Sequence, residues 1–78
     1  MPIVNVKVLA GAFSHAQKEA MIDGITDAMA KVGGEGMRPL VHVLVEEVAS
    51  GMWGIGGNKL TTEEIMERRR QRAAGGTG

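Results

Sequence analysis

The chain has no cysteine at all. Disulfide staples and thiolate metal sites are therefore excluded. Its two histidines, His15 and His42, stand far apart, so no zinc-ligand spacing exists and no metal is expected. Formal net charge at pH 7 is zero. That argues against a polyelectrolyte partner such as nucleic acid. No apolar run reaches membrane-spanning length, and no signal peptide precedes the first strand. The expectation is a cytoplasmic protein with no membrane partner. A phosphate loop of the form GxxxxGK-S/T is missing, and no other cofactor signature occurs, so no cofactor is expected.

Length is also in short supply. Seventy-eight residues make one small domain. Such a chain struggles to bury enough apolar surface to offset its ordering entropy. Its 12 glycines add to that entropy loss. Yet 44% of residues are hydrophobic, too many for a chain disordered by composition. Oligomerisation resolves the conflict, because several copies can share one core.

What is present reads as alternating elements. Residues 3–9, IVNVKVL, are rich in β-branched side chains and predict a strand. Val4, Val6 and Val8 point one way; Ile3, Asn5 and Lys7 point the other. Ser14 followed by Gln17 is a capping-box start for a helix over about 15–32. Met21, Ile25, Ala28, Met29 and Val32 form its apolar stripe, and Gly33 is its stop. GEGMRP (34–39) reads as a loop, and LVHVLVEE (40–47) as a second strand. Val41, Val43 and Val45 share one face of it; Leu40, His42, Leu44 and Glu46 share the other. Strand, helix, strand with short links predicts a βαβ unit with parallel strands. One helix covers one sheet face, so the other calls for a second copy of the chain. GMWGIGG (51–57) is too glycine-rich for a helix and predicts a hairpin or tight turn. Thr61 or Thr62 then caps a short helix through EEIMERRRQR. The fold class is α/β: a βαβ domain with a hairpin over 2–60, a helical tail over 61–72 and a flexible end over 73–78.

The first residues carry a chemical possibility. Cells normally remove an initiator methionine that precedes a small residue such as proline. Loss of Met1 would leave Pro2 as a free secondary amine on a rigid ring, able to act as base, acid or nucleophile. The plain alternative is a proline tolerated at a strand start.

Proline behind the initiator methionine, a first strand, a capped helix, a valine-rich second strand and GMWGIGG together resemble 4-oxalocrotonate tautomerase and its relatives. The resemblance covers roughly residues 2–60. It implies a small βαβ subunit that assembles through sheet-face and edge contacts into dimers, and commonly into a hexamer as a trimer of dimers. It implies that the N-terminal proline, Pro2, is the catalytic general base and acid. The substrate class would be a small unsaturated 2-oxo or 2-hydroxy acid undergoing keto–enol isomerisation. Trp53 stands where the family places an aromatic wall, which would keep the amine neutral by disfavouring its charged form. The best-known members carry arginine at two positions occupied here by Ala12 and His42. Arginine forks onto a carboxylate, which neither alanine nor neutral histidine can do. Lys7 and Arg38 are the candidate replacement cations, each with a solvated surface charge as its plain alternative.

Other roles stay open at this stage. The same amine, protonated, suits hydration, dehalogenation or decarboxylation. A scaffold stripped of its arginines could instead be a non-catalytic oligomeric binding module. Trp53 could be interface packing, and His42 a structural histidine. Arg68, Arg69, Arg70 and Arg72 read first as a solvated helix face, with one of them reaching a neighbouring subunit's site as the sharper alternative.

Overall fold

The computed structural model describes residues 1–75 of the chain. Its order is β1 (Ile3–Leu9), α1 (His15–Gly33), a 3-10 helix (Glu35–Leu40), β2 (His42–Val48), β3 (Trp53–Ile55), β4 (Asn58–Leu60) and α2 (Thr62–Gly75). β1 pairs with β2, and β3 with β4, as two separate two-stranded sheets. The architecture is the α/β arrangement expected, with a β-α-β core followed by a hairpin and a helix.

The chain divides into two compact units. The first takes Met1–Val8 and Phe13–Glu46; the second takes Leu9–Ala12 and the chain from Glu47 onward.

In the first unit β1 and β2 alternate as their sequences dictate. Val4, Val6, Val41, Val43 and Val45 are half-buried, while Ile3, Asn5, Lys7, His42, Leu44 and Glu46 are exposed. The His42 N–H donates to the Pro2 carbonyl at 3.0 Å. Where the two strands end, in the second unit, the Ala10 N–H donates to the Val48 carbonyl at 2.8 Å. Both strands advance in the same sense between these bonds, which is the parallel pairing a helical crossover requires. α1 opens with the capping box: the Gln17 N–H donates to Ser14 Oγ at 3.1 Å, and the Ser14 N–H to Gln17 Oε1 at 2.8 Å. α1 ends where Gly34 adopts φ 96° and its N–H closes on the Ala30 carbonyl at 2.7 Å. That left-handed φ suits glycine alone among common residues.

Three expectations need correction here. Leu40 is not in β2. Pro39 sits inside the 3-10 helix, and the Val41 N–H still closes that turn on the Arg38 carbonyl at 3.3 Å. The strand therefore starts at His42 and runs on to Val48. On α1, Val32 and Ala28 are exposed, Val32 at 89%. The inward positions are Met21, Ile25, Met29 and the fully covered Ala30. Next to Val32, the missing side chain of Gly33 leaves room for the Met37 thioether. Last, α2 continues through Ala73, Ala74 and Gly75, placed above in a flexible end; 76–78 lie outside the described residues.

In the second unit the glycine-rich segment is a two-residue hairpin. Trp53 pairs with Leu60, Gly54 with Lys59 and Ile55 with Asn58. Gly56 and Gly57 form the turn with φ 56° and 85°, the doubly positive geometry that matches the twist of paired strands. Thr61 caps α2, accepting the Glu64 N–H at 3.2 Å. The Thr62 N–H donates to Ser50 Oγ at 2.9 Å, and the Thr62 hydroxyl to the Ala10 carbonyl. α2 is thereby tied to the segment that follows β1. No described helix is long and apolar enough to cross a membrane.

Candidate active site

Pro2 stands immediately before β1 and is half-buried, whereas Met1 is exposed. It has no N–H to give, and it joins the ladder through its carbonyl alone, accepting from His42. The sheet therefore makes no demand on the Pro2 nitrogen. That same bond brings the backbones of Pro2 and His42 together at the start of the sheet. The His42 side chain lies on the exposed face with Leu44 and Glu46.

The two candidate cations of the first unit are engaged with carboxylates. Lys7 Nζ lies 3.4 Å from Glu46 Oε1, and the Asn5 amide donates to the same oxygen. The Asn5 bond, followed by the Lys7 charge, lowers the Glu46 pKa below its ordinary value. Arg38 spans two acids: Nη1 donates to Asp27 Oδ1 at 2.6 Å, and Nε to Glu35 Oε1 at 2.9 Å. The Arg38 hydrogen bond and charge hold Glu35 below the usual carboxylate range, and Glu35 and Asp27 in turn raise the pKa of Arg38. Both clusters are exposed, so they orient α1, the 3-10 helix and the sheet edge more than they stabilise them.

In the second unit Trp53 is half-buried at the hairpin, across from the buried Leu60. Ala12 is 4% exposed. Its methyl contributes packing, and its carbonyl accepts a hydrogen bond from Arg69 Nη1. The sequence pointed to Arg68–Arg72 as a group without selecting Arg69. Helical spacing does select it. Thr62, Ile65 and Arg69 (i, i+3, i+7) are the half-buried residues of α2, while Arg68, Arg70 and Arg72 are exposed. Ile65 is the β-branched apolar residue of that helix, and Arg69 lies one turn beyond it on the same side.

Two surface depressions are defined by charged side chains. One of about 440 Å³ lies along α2 between Glu63, Glu64, Glu67, Arg68 and Arg70. The other, about 210 Å³, lies between His15, Lys18, Glu19, Ile22 and Val45. Neither includes Pro2, Ala12, His42 or Trp53. The described residues contain no group of three or more acidic or histidine side chains placed to hold a metal.

Comparison with known proteins decides the family. The family model described as Tautomerase enzyme matches residues 2–63. The chain belongs to the tautomerase family. A probable tautomerase of Dickeya dadantii is 34% identical over 71 residues, covering 91% of this chain and 97% of that protein. A probable tautomerase of Staphylococcus aureus is 40% identical over 57 residues, covering 73% and 90% of the two chains. Among solved structures, DmpI from Helicobacter pylori superposes with a TM-score of 0.63 at 29% identity, over 81% of this chain and 98% of that one. The family model thus takes in β1, α1, β2, the hairpin and the first residues of α2.

Proposed function

We propose that this tautomerase-family chain is a cytoplasmic keto–enol isomerase of small unsaturated 2-oxo or 2-hydroxy acids, with Pro2 as general base and acid. Removal of Met1 exposes the prolyl amine. The neutral amine takes a proton from the carbon beside the substrate carbonyl. The resulting ammonium returns that proton at another position of the conjugated system. The observation that carries this assignment is the half-buried Pro2, bound to the sheet by its carbonyl only. A strand-start proline so held keeps a fixed ring and a nitrogen with no structural task. A general base at this position needs the neutral form of the amine, which apolar surroundings favour over the charged one.

Trp53 is assigned the apolar wall of the pocket, with its indole N–H available to a substrate oxygen. His42 and Ala12 are assigned to the pocket border. Lys7 and Arg38 lose ground as substrate cations, because each would have to leave a carboxylate first.

The working unit is proposed to be a homo-oligomer, a hexamer built as a trimer of dimers. The outer face of the β1–β2 sheet presents Ile3 at 67% exposure and Leu44 at 46%, and the hairpin presents Met52 and Ile55. Such surface is costly to leave in water on a chain this small. Sedimentation at micromolar concentration is expected to give one closed species; a stable folded monomer would remove this part of the proposal.

The test of the chemistry is rate against pH on a panel of enolised 2-oxo acids, with the N-terminus defined by mass. The processed protein should turn over one of them with an inflection set by the amine. Full activity with Met1 attached would exclude Pro2 as the base.

A further inference from the structure

We propose that the outer face of the β1–β2 sheet is a self-complementary interface with a second copy of this chain, and that protonation of His42 opens it. The inference rests on the reading of the protein as a homo-oligomer and names the group that regulates that assembly. Every residue it uses lies in the first unit.

Six side chains make up this face: Ile3, Asn5 and Lys7 from β1, and His42, Leu44 and Glu46 from β2. All six are exposed, while Val4, Val6, Val43 and Val45 between them are half-buried. Ile3 and Leu44 supply the apolar area, which a chain of this size gains by covering. The charges are balanced within the face. Lys7 Nζ lies 3.4 Å from Glu46 Oε1, and the Asn5 amide donates to the same oxygen. With His42 neutral, one lysine stands against one glutamate and the face carries no net charge. A two-fold axis sets such a pattern against itself. Each copy then offers the other a cation and an anion beside its two apolar side chains.

Protonated His42 upsets that balance. Two cations then stand against one anion on each copy, and the symmetry brings two like faces together. Glu46 is already engaged by Lys7 and Asn5, so closing the face would bury an imidazolium without a carboxylate of its own. Histidine is the side chain whose charge changes between about pH 5 and 8. The Asn5 bond, followed by the Lys7 charge, holds the Glu46 carboxyl below its ordinary value, so Glu46 stays ionised across that range. One further titrating group adjoins His42. Pro2 accepts the His42 N–H through its carbonyl at 3.0 Å, and its amine is exposed once Met1 is removed. The other histidine, His15, stands on α1 beside Glu19. The experiment separates both from His42.

Sedimentation of the processed protein at about pH 8 and about pH 5.5 tests the proposal, with circular dichroism reporting folding at each pH. The wild type is expected to be assembled at the higher pH. Its dissociation constant should rise by about 10- to 100-fold at the lower one, about tenfold for each of the two histidines in an isologous interface. His42→Gln keeps a neutral polar side chain, the prolyl amine and His15. Its assembly should differ between the two conditions by less than about threefold. His42→Arg fixes the charge and should be weakened at both. Leu44→Glu places a charge on the apolar part of the face and should dissociate the assembly even at the higher pH. Wild-type assembly that is equal at the two pH values would overturn the proposal and leave the oligomer standing. So would a response in His42→Gln as large as that of the wild type, which would assign the effect to the prolyl amine or His15. Unchanged assembly of a folded Leu44→Glu protein would put the interface on another face and overturn the proposal as well. A wild type that is monomeric at the higher pH would sink the oligomer reading, and this inference with it.

Discussion

In the unit of residues 1–8 and 13–46, the cations lean on acids: Arg38 on Asp27 and Glu35, Lys7 on Glu46. In the other unit, Arg69 leans on the carbonyl of Ala12. The first arrangement spends charge on exposed pairs that contribute little to stability. The second seats a half-buried guanidinium on a backbone carbonyl. Glycine serves two purposes in the chain. Gly24 lies in the interior of α1 with open space around it, whereas Gly34 in the same unit, and Gly11, Gly56 and Gly57 in the other, adopt positive φ at turns. The proposed base stands on an ordinary strand start in the first unit.

The sharpest way to break this division is to block the amine. Protein that retains Met1, expressed without methionine aminopeptidase, should lose the general-base contribution, on the order of 10²–10⁴ in rate. Its melting behaviour should be unchanged, because Pro2 gives the sheet only a carbonyl. Pro2→Ala should fall between, since processing then leaves a primary amine on a less rigid residue. Trp53→Ala should act by another route. If Trp53 keeps water from the amine, its loss raises the amine pKa. The amine must be neutral to accept a proton, so the inflection in rate moves to higher pH. An unmoved inflection would remove Trp53 from the wall.

Adding a cation comes next in size. Ala12→Arg should improve turnover of a dicarboxylate enol by up to about 1.5–3 kcal/mol of transition-state binding. Ala12 is buried, so the variant is expected to melt lower than the wild type. Kinetics on the dicarboxylate decide the matter; unchanged turnover in a folded variant would separate position 12 from the pocket.

The glycine contrast predicts opposite signs for one substitution. Gly11→Ala places a Cβ in the left-handed region and 3.0 Å from Thr62 Cγ2. It should destabilise by about 1–2 kcal/mol. Gly24→Ala meets nothing within 4 Å at a helical φ. It should stabilise by about 0.5–1 kcal/mol, chiefly by restraining the unfolded chain. Denaturant titrations of the two variants should bracket the wild type.

Legibility in the sequence followed how local the cause was. The Ser14–Gln17 box, the bounds of β1 and the Gly56–Gly57 turn are set by residues within four positions of one another, and each could be read directly. The start of β2 was misplaced because Leu40 looks like a strand residue. Pro39 and the Val41-to-Arg38 bond keep it in a 3-10 turn. Val32 was put on the inner stripe of α1 because its spacing and apolar side chain match that stripe, yet it is exposed in the last turn of the helix. Pro2 could be named from the resemblance. Arg69 was not singled out although its spacing from Thr62 and Ile65 marks it; its bond to the Ala12 carbonyl, 57 positions away, leaves no mark in composition.

The smallest effect comes from the exposed ion pairs of the first unit. Glu35 and Glu46 are held below the ordinary value of 4.5 by Arg38 and by Asn5 with Lys7. A folded-state pKa below the unfolded one means that the unfolded chain binds more protons in the interval between them. Stability from these groups is therefore fully present above about pH 4.5 and drains away as pH falls through the depressed values. Exposure keeps the total small. Glu35→Gln should flatten the acid limb of a melting-temperature profile and leave the profile above pH 6 nearly unchanged. An acid limb left unchanged by Glu35→Gln would show that the Arg38 pairing contributes nothing measurable to folding stability.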